Sequence, residues 1–222
     1  MLLVLRDNRI SYYLPLKYNY KLEDYMKKIL KIIIIVIVIA IILLLINYFR
    51  NFNILNKMIE NGNTVLKEAE SYHISVESSI DDNNYKEDLY CKNNIYLMKK
   101  YENEELKSIF WKNTKTNESV AYFFESGIIS YVDENFSEDF ENSYDNNLVI
   151  SKDVNISNFS SICLFKIIKS SKDYYIIKNN GTEFYYLKEN GLLKEFKTEN
   201  YSAKYLFEEN TVEDSEVLKP EI

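Results

Sequence analysis

Fifteen consecutive apolar residues, Ile32 to Ile46, constrain this chain more than any other feature. Adding Ile29, Leu30, Tyr48 and Phe49 extends the stretch to about 21 residues, or ~31 Å of helix, which matches the hydrocarbon core of a bilayer. Ile, Leu and Val each favour insertion, and Lys31 and Asn47 stand near the ends, where polar tips reach the interface. The sequence therefore predicts a transmembrane helix over residues 29–49, with Ile32, Ile39 and Ile46 as anchor residues along it. Lys27, Lys28 and Lys31, with Lys17 and Lys21 further out, outweigh Arg50 and Lys57 on the other flank, so the N-terminus is expected in the cytoplasm. A cleaved signal peptide fits less well. The run is long for one, it ends in Asn47-Tyr48-Phe49-Arg50 with no small-residue pair to cut at, and no Cys stands at its end for lipid attachment, Cys91 and Cys163 lying far downstream. Residues 1–28 are then a cytoplasmic tail, and everything past residue 50 lies outside a cell membrane crossed once.

Residues 1–25 have two readings. They are a short amphipathic tail, or they lie upstream of a true start at Met26. The codons of Leu22–Tyr25 can carry GGAGG just before the ATG, and Tyr18-Asn19 can be written TATAAT.

Charge divides the chain at the same place. Residues 1–50 hold eight Lys/Arg against three Asp/Glu, whereas 51–222 hold nineteen against thirty-one, a net +5 followed by a net −12. The acidic part lacks the basic stripe that supplies nucleic-acid affinity, so no nucleic-acid partner is expected.

Past the apolar run the pattern changes twice. Over residues 50–70, Leu55, Met58, Ile59, Val65, Leu66 and Ala69 recur at helical spacing and predict an amphipathic helix, broken near Gly62. From residue 71 the period falls to two: Tyr72, Ile74 and Val76 share one face, as do Tyr201, Ala203, Tyr205 and Phe207. About ten such runs follow to the C-terminus, separated by turn pairs such as Asn93-Asn94, Asn180-Gly181 and Asn190-Gly191, which accept the positive backbone angles of tight hairpins. Polar and acidic residues at 136–149, then a mixed stretch at Asn155–Lys169 suited to a short helix, are expected to split the sheet. The fold class predicted is α+β, mainly antiparallel β: a 71–222 extracytoplasmic β domain with a helical lid.

Runs such as "VAYFFES" and "DYYIIKN" are apolar on both parities, so either both faces of the sheet are packed or one lines a cavity. Ile109, Trp111, Tyr122, Phe124, Tyr175 and Ile177 are the candidate cavity residues, although Trp111 reads first as plain core and only second as a ligand platform. The chemistry is otherwise sparse. His73 is the one histidine in the sequence and has no Cys or second His near it, so neither a metal site nor a catalytic Cys-His pair is expected. Paired acids such as Asp81-Asp82 and Glu104-Glu105 fall in predicted turns, where solvated carboxylates are ordinary. "DENFSEDFENSYD" lacks the loop spacing of a dedicated calcium site. Cys91 and Cys163 are permitted a disulfide outside the cytoplasm, which would contribute about 4 kcal/mol in the chain-entropy model, or they stay as buried thiols. Catalytic residues and cofactors are expected to be none.

Two stretches carry a family likeness. "YYLKENGLLKEF" resembles a Tyr-rich strand, a turn and a following "GL", here Gly191-Leu192. The tail resembles an acidic V-x-D-x-x-V-x-x-P ending through Val212, Asp214, Val217 and Pro220. With the preceding anchor, helix, meander and helical interruption, residues 52–222 resemble the outer-membrane lipoprotein carrier (LolA-like) superfamily. The resemblance implies a curved, unclosed barrel around an apolar concavity. A permanent anchor and an AT-rich composition suit a Gram-positive relative tethered to its membrane rather than a soluble shuttle, and no functional residue carries over. Two functions follow as expectations. One is a non-catalytic module that binds a lipid, an acyl chain or a lipoprotein. The other is a structural or regulatory domain with a packed interior that docks a protein partner in the envelope.

Overall fold

The computed structural model describes residues 16–80, 83–130, 148–149 and 156–221, and it divides into two compact units between Ile46 and Asn47. The acidic stretch at 133–145, Asp81-Asp82 and residues 1–15 lie outside the described residues.

Helix α1, Leu16–Glu68, contributes to both units. In the first unit every side chain from Met26 to Ile46 is exposed, although all of them are apolar after Lys31. A helix that is apolar all round satisfies its own backbone but needs apolar surroundings for its side chains. This helix is long and apolar enough to cross a membrane.

In the second unit α1 runs unbroken through Gly62, where the sequence predicted a break. The missing side chain serves packing instead: a Cβ on Gly62 would stand 2.8 Å from Val149 Cγ2. Eleven strands follow, all antiparallel: β1 Ser71–Ile80, β2 Asn83–Lys92, β3 Ile95–Glu102, β4 Glu105–Asn113, β5 Glu118–Phe123, β6 Ile128–Ser130, β7 Lys169–Ser170, β8 Tyr174–Asn179, β9 Thr182–Leu187, β10 Leu193–Lys197 and β11 Ser202–Glu209. Helix α2, Ile156–Phe165, falls between β6 and β7, and a 3-10 turn, Asp214–Val217, follows β11. The order is β6-β5-β4-β3-β2-β1-β11-β10-β9-β8-β7, an open sheet. The interruption predicted to split the sheet joins its two edges, β6 and β7. The join at the centre is β1 with β11, in register from Tyr72↔Glu209 to Ser79↔Ser202.

Asparagine supplies the tight turns in a chain with four glycines. Asn93 and Asn94 have φ of 52° and 65°, and Asn180 and Gly181 of 47° and 83°, the paired positive angles that a two-residue hairpin matched to strand twist requires. Asn190-Gly191 is different. Gly191 closes a longer turn by donating to Leu187 O at 2.9 Å, and its Cα faces the backbone of α1 so closely that a Cβ would sit 2.1 Å from Met58 O.

One face of the sheet carries α1 and α2. Val65, Leu66 and Ala69 of α1 pack with Tyr72, Ile74, Leu89, Cys91 and Met98, while Leu55 and Met58 pack with Cys163, Ile168, Ile177, Tyr186 and Leu193. The carbonyls left open at the end of α2 are closed by α1: Asn47 Nδ2 donates to Leu164 O (3.1 Å) and Lys166 O (2.8 Å), Asn51 Nδ2 to Cys163 O (3.2 Å) and Lys166 O (2.8 Å), and Arg50 Nη2 to Ile168 O. The other, outer face is partly covered by the C-terminal tail. Val212 and Val217 are buried, Trp111 Nε1 donates to Val217 O at 2.9 Å, and Lys92 Nζ pairs with Asp214 at 3.0 Å. Three positions of the tail motif thus act as a strap over the outer face.

Candidate functional site

Among the described residues two groupings have chemistry beyond ordinary packing, one on each face of the sheet. On the outer face, His73 of β1 stands opposite Tyr90 of β2 and Glu208 of β11. Its Nδ1 lies 3.0 Å from Glu208 Oε2 and its Nε2 3.2 Å from Asp88 Oδ1, while Tyr90 stacks on the imidazole with centroids 4.5 Å apart. Lys86 Nζ reaches the other oxygen of Asp88 at 2.9 Å, and Ser75 also bonds that carboxyl. The Asp88 side chain is only 3% exposed. Burial pushes its pKa up, yet bonds from His73, Lys86 and Ser75 outweigh burial and hold it at about 2. The same bond from Asp88, against burial and with help from Glu208, raises His73 above its ordinary value. Burial pushes the Tyr90 hydroxyl up to about 12. Both ring nitrogens are occupied by carboxylates, and among the described residues no three His, Cys, Asp or Glu side chains form a group suited to a metal ion. The arrangement stores charge and clamps β11, β1 and β2 together.

Further along this face a recess of about 560 Å3 is lined by Glu77, Ser79, Lys86, Tyr101, Ser202 and Lys204, among others. Its walls mix hydroxyls with charges of both signs.

On the helix-bearing face, an aromatic row crosses β9, β10 and β11. Phe184 and Phe196 have centroids 6.0 Å apart, Phe196 and Tyr201 5.3 Å, and Phe196 and Tyr205 6.3 Å. All four rings are half-buried. Burial raises the Tyr205 hydroxyl to about 12, so it stays neutral.

The six predicted cavity residues do not meet. Ile109 and Trp111 alternate on one side of β4, and the pairs Ile109↔Tyr122 and Trp111↔Val120 bring Tyr122 to the same side. Phe124 joins them edge-to-face with Tyr122 at 4.5 Å. That is the outer face, where the tail covers Trp111. Tyr175 and Ile177 lie on the opposite face, with Ile177 in the α1 and α2 cluster and Tyr175 packed against it. Cys91 and Cys163 are buried in different clusters with no disulfide between them, and burial pushes the Cys163 thiol up. Anchor residues Ile32, Ile39 and Ile46 all face outward from α1. The aromatic row and the His73 cluster were missed from sequence. Phe184, Phe196, Tyr201 and Tyr205 each sit at the apolar parity of their own runs, but which runs are neighbours is not written in the period.

Neither the protein-family models nor the curated proteins give a match to this chain. Among solved structures, it is similar to an uncharacterized conserved protein from Thermus thermophilus, at 11% identity and TM-score 0.42 over 74% of this chain and 93% of that one. It is also similar to a DUF1329 family protein from Desulfovibrio piger, at 8% identity and TM-score 0.28 over 74% of this chain and 99% of that one. Both scores are low, and the open antiparallel sheet with helices on one face rests on its own geometry.

Proposed function

We propose that this chain is a membrane-anchored, non-catalytic binding module of LolA-like type. Its N-terminus lies in the cytoplasm, and its open sheet, outside the cell membrane, takes an apolar chain from a lipid or lipoprotein. The observation that supports this reading is the aromatic row Phe184–Phe196–Tyr205. It is half-exposed on the face where neighbouring strands are sealed by α1 and α2. Aromatic rings offer large apolar area at small entropic cost, which is what acyl-chain capture needs.

A photo-crosslinking amino acid placed at Phe196 in the full-length protein in cells tests it. A lipid or acylated-peptide adduct, absent when the same group replaces the exposed Lys178, is the expected result. Adducts no more abundant than at Lys178 would refute apolar-chain capture.

A second reading, docking of a protein partner in the envelope, is favoured by the polar recess beside Tyr101 and by the full burial of Leu55, Ile74, Ile168 and Leu192 in the interior. The same crosslinker at Tyr101 would then capture one protein, and the Phe196 position none.

A further inference from the structure

Residues 163–168 form a rigid bend. Cys163 and Ile168, at its ends, are fully buried, and the backbone between them is held by Asn47, Asn51 and Arg50 through the carbonyls of residues 163, 164, 166 and 168. Phe165 and Ile167 nevertheless stand 67% and 69% exposed, and Phe49, two residues from Asn47 on α1, is 61% exposed. Phe49 meets Tyr48 edge-to-face at 5.7 Å, whereas Phe165 and Ile167 are fixed outward on a pinned backbone as exposed apolar surface.

The bend has a defined address. Asn47, which grips it, is the residue immediately after Ile46, where the apolar run ends. Local charge distinguishes it further. From Phe159 to Lys172 the sequence has no Asp or Glu but includes Lys166, Lys169 and Lys172, within a body of net −12 after residue 50. Lys188 adds a fourth amine through its bond to Ser171 O, and Asp173 is the carboxylate next in sequence.

We propose that Phe165 and Ile167 form an interfacial foot. It is seated at the boundary between headgroups and acyl chains of the membrane that α1 crosses, with Lys166, Lys169 and Lys172 toward anionic headgroups. This rests on the anchor reading above and deepens it: the domain touches the bilayer at a second point. Apolar tips ringed by lysines are the composition that partitions into an anionic interface.

The test uses the full chain reconstituted into phosphatidylcholine vesicles containing a minority of phosphatidylglycerol, with acyl chains brominated close to the headgroup. Trp111, the one tryptophan of the sequence, lies buried beneath the tail and serves as the unquenched reference. Phe165→Trp adds an indole at the foot, and Ile167→Trp repeats the experiment at a neighbouring position in case the first variant misfolds. Vesicle flotation is scored in parallel. The expected result is flotation with blue-shifted emission from the introduced indole and about twofold loss of its intensity in brominated vesicles, as insertion to the acyl boundary requires. Flotation with both introduced indoles unquenched and emitting as in water overturns the foot while leaving the anchor intact. Failure to float overturns the anchor and the foot with it.

Discussion

Gly191 is where a single methyl group tests the packing of the sheet turn on α1. In Gly191→Ala, φ of +75° carries a strain of about 1 kcal/mol for an L residue. The added Cβ would lie 2.1 Å from Met58 O and 2.9 Å from Met58 C, both backbone atoms of a buried helix turn that no rotamer change can clear. Relief needs a separation of about 1 Å, which forfeits a quarter to a half of the dispersion contact across the gap. The side chains that lose it are Met58, Leu192 and Leu193, exposed by 2%, 1% and 5%. At ~2 kcal/mol of burial each, the loss is about 1.5–3 kcal/mol, so the whole change costs about 2.5–4 kcal/mol. Gly127 and Gly181 supply the control. Their φ values are +61° and +83°, with nothing within 4 Å of an added Cβ, so Gly127→Ala and Gly181→Ala cost the strain alone. The assay is urea unfolding of the full chain in detergent micelles, followed by Trp111 emission, for the three variants and the parent. If Gly191→Ala unfolds within ~0.5 kcal/mol of the two controls, the close approach of turn and helix is not a feature of the folded chain, and the argument fails.

The His73 cluster predicts a pH window. A raised His73 pKa stabilises the fold below about pH 6.5, and this is lost as pH rises through the folded value, whereas Asp88, lowered to about 2, contributes about 2 kcal/mol above pH 4 that is lost as pH falls toward 2. Thermal midpoints should therefore peak between about pH 4 and 6.5, and His73→Gln should remove the decline on the alkaline side; an unchanged decline refutes the assignment. Asn51→Ala leaves Cys163 O with only the longer 3.4 Å contact from Asn47 Nδ2, while Lys166 O keeps its 2.8 Å bond from Asn47, so calorimetry should show a loss of about 1 kcal/mol, and no loss would mean that Asn47 alone satisfies both carbonyls. Deleting the tail from Val212 onward should uncover Trp111 and shift its emission to the red, with the far-ultraviolet dichroism of the sheet retained; unshifted emission would show that the strap does not cover it.

The local features were legible because their physics is local. Fifteen apolar residues in a row admit one helix, period-two runs give strands, and Asn-rich pairs turn the chain where Gly is scarce. What the sequence hid is contact between distant segments. Parity places Trp111 and Ile177 each on a face of its own strand, but only the pairing of β1 with β11, which joins residues as far apart in the chain as Tyr72 and Glu209, shows that those faces are opposite. His73 finds Asp88 and Glu208 across two different neighbours, so no spacing announces it. Gly62 and Gly191 were read as a breaker and a hairpin residue, whereas both are places where another segment comes within reach of Cα. The strand β7, two residues long, is held by its pairing with β8 and carries no alternation to detect.

The two faces are closed by different ends of the domain, and this decides where binding is to be sought. Around the central pair β1 and β11, α1 from Asn47 onward seals one face and the tail, through Val212 and Val217, straps the other. The strap lies over Trp111, on the β1 to β4 side, so four of the six cavity candidates share a face with a segment already seated. The α1 contacts divide into two clusters, with Val65 to Ala69 on the strands from β1 to β3 and Leu55 with Met58 on β8 to β10. Tyr205 packs against both, and Phe196 and Phe184 continue from it with rings half-open. Under the binding proposal a ligand would meet the partly buried rings of Phe184, Phe196 and Tyr205, which pack against the helix-bearing core. One entering beneath the strap must first break the Trp111 bond to Val217. Phe196 is the position at which the crosslinking experiment separates the two routes.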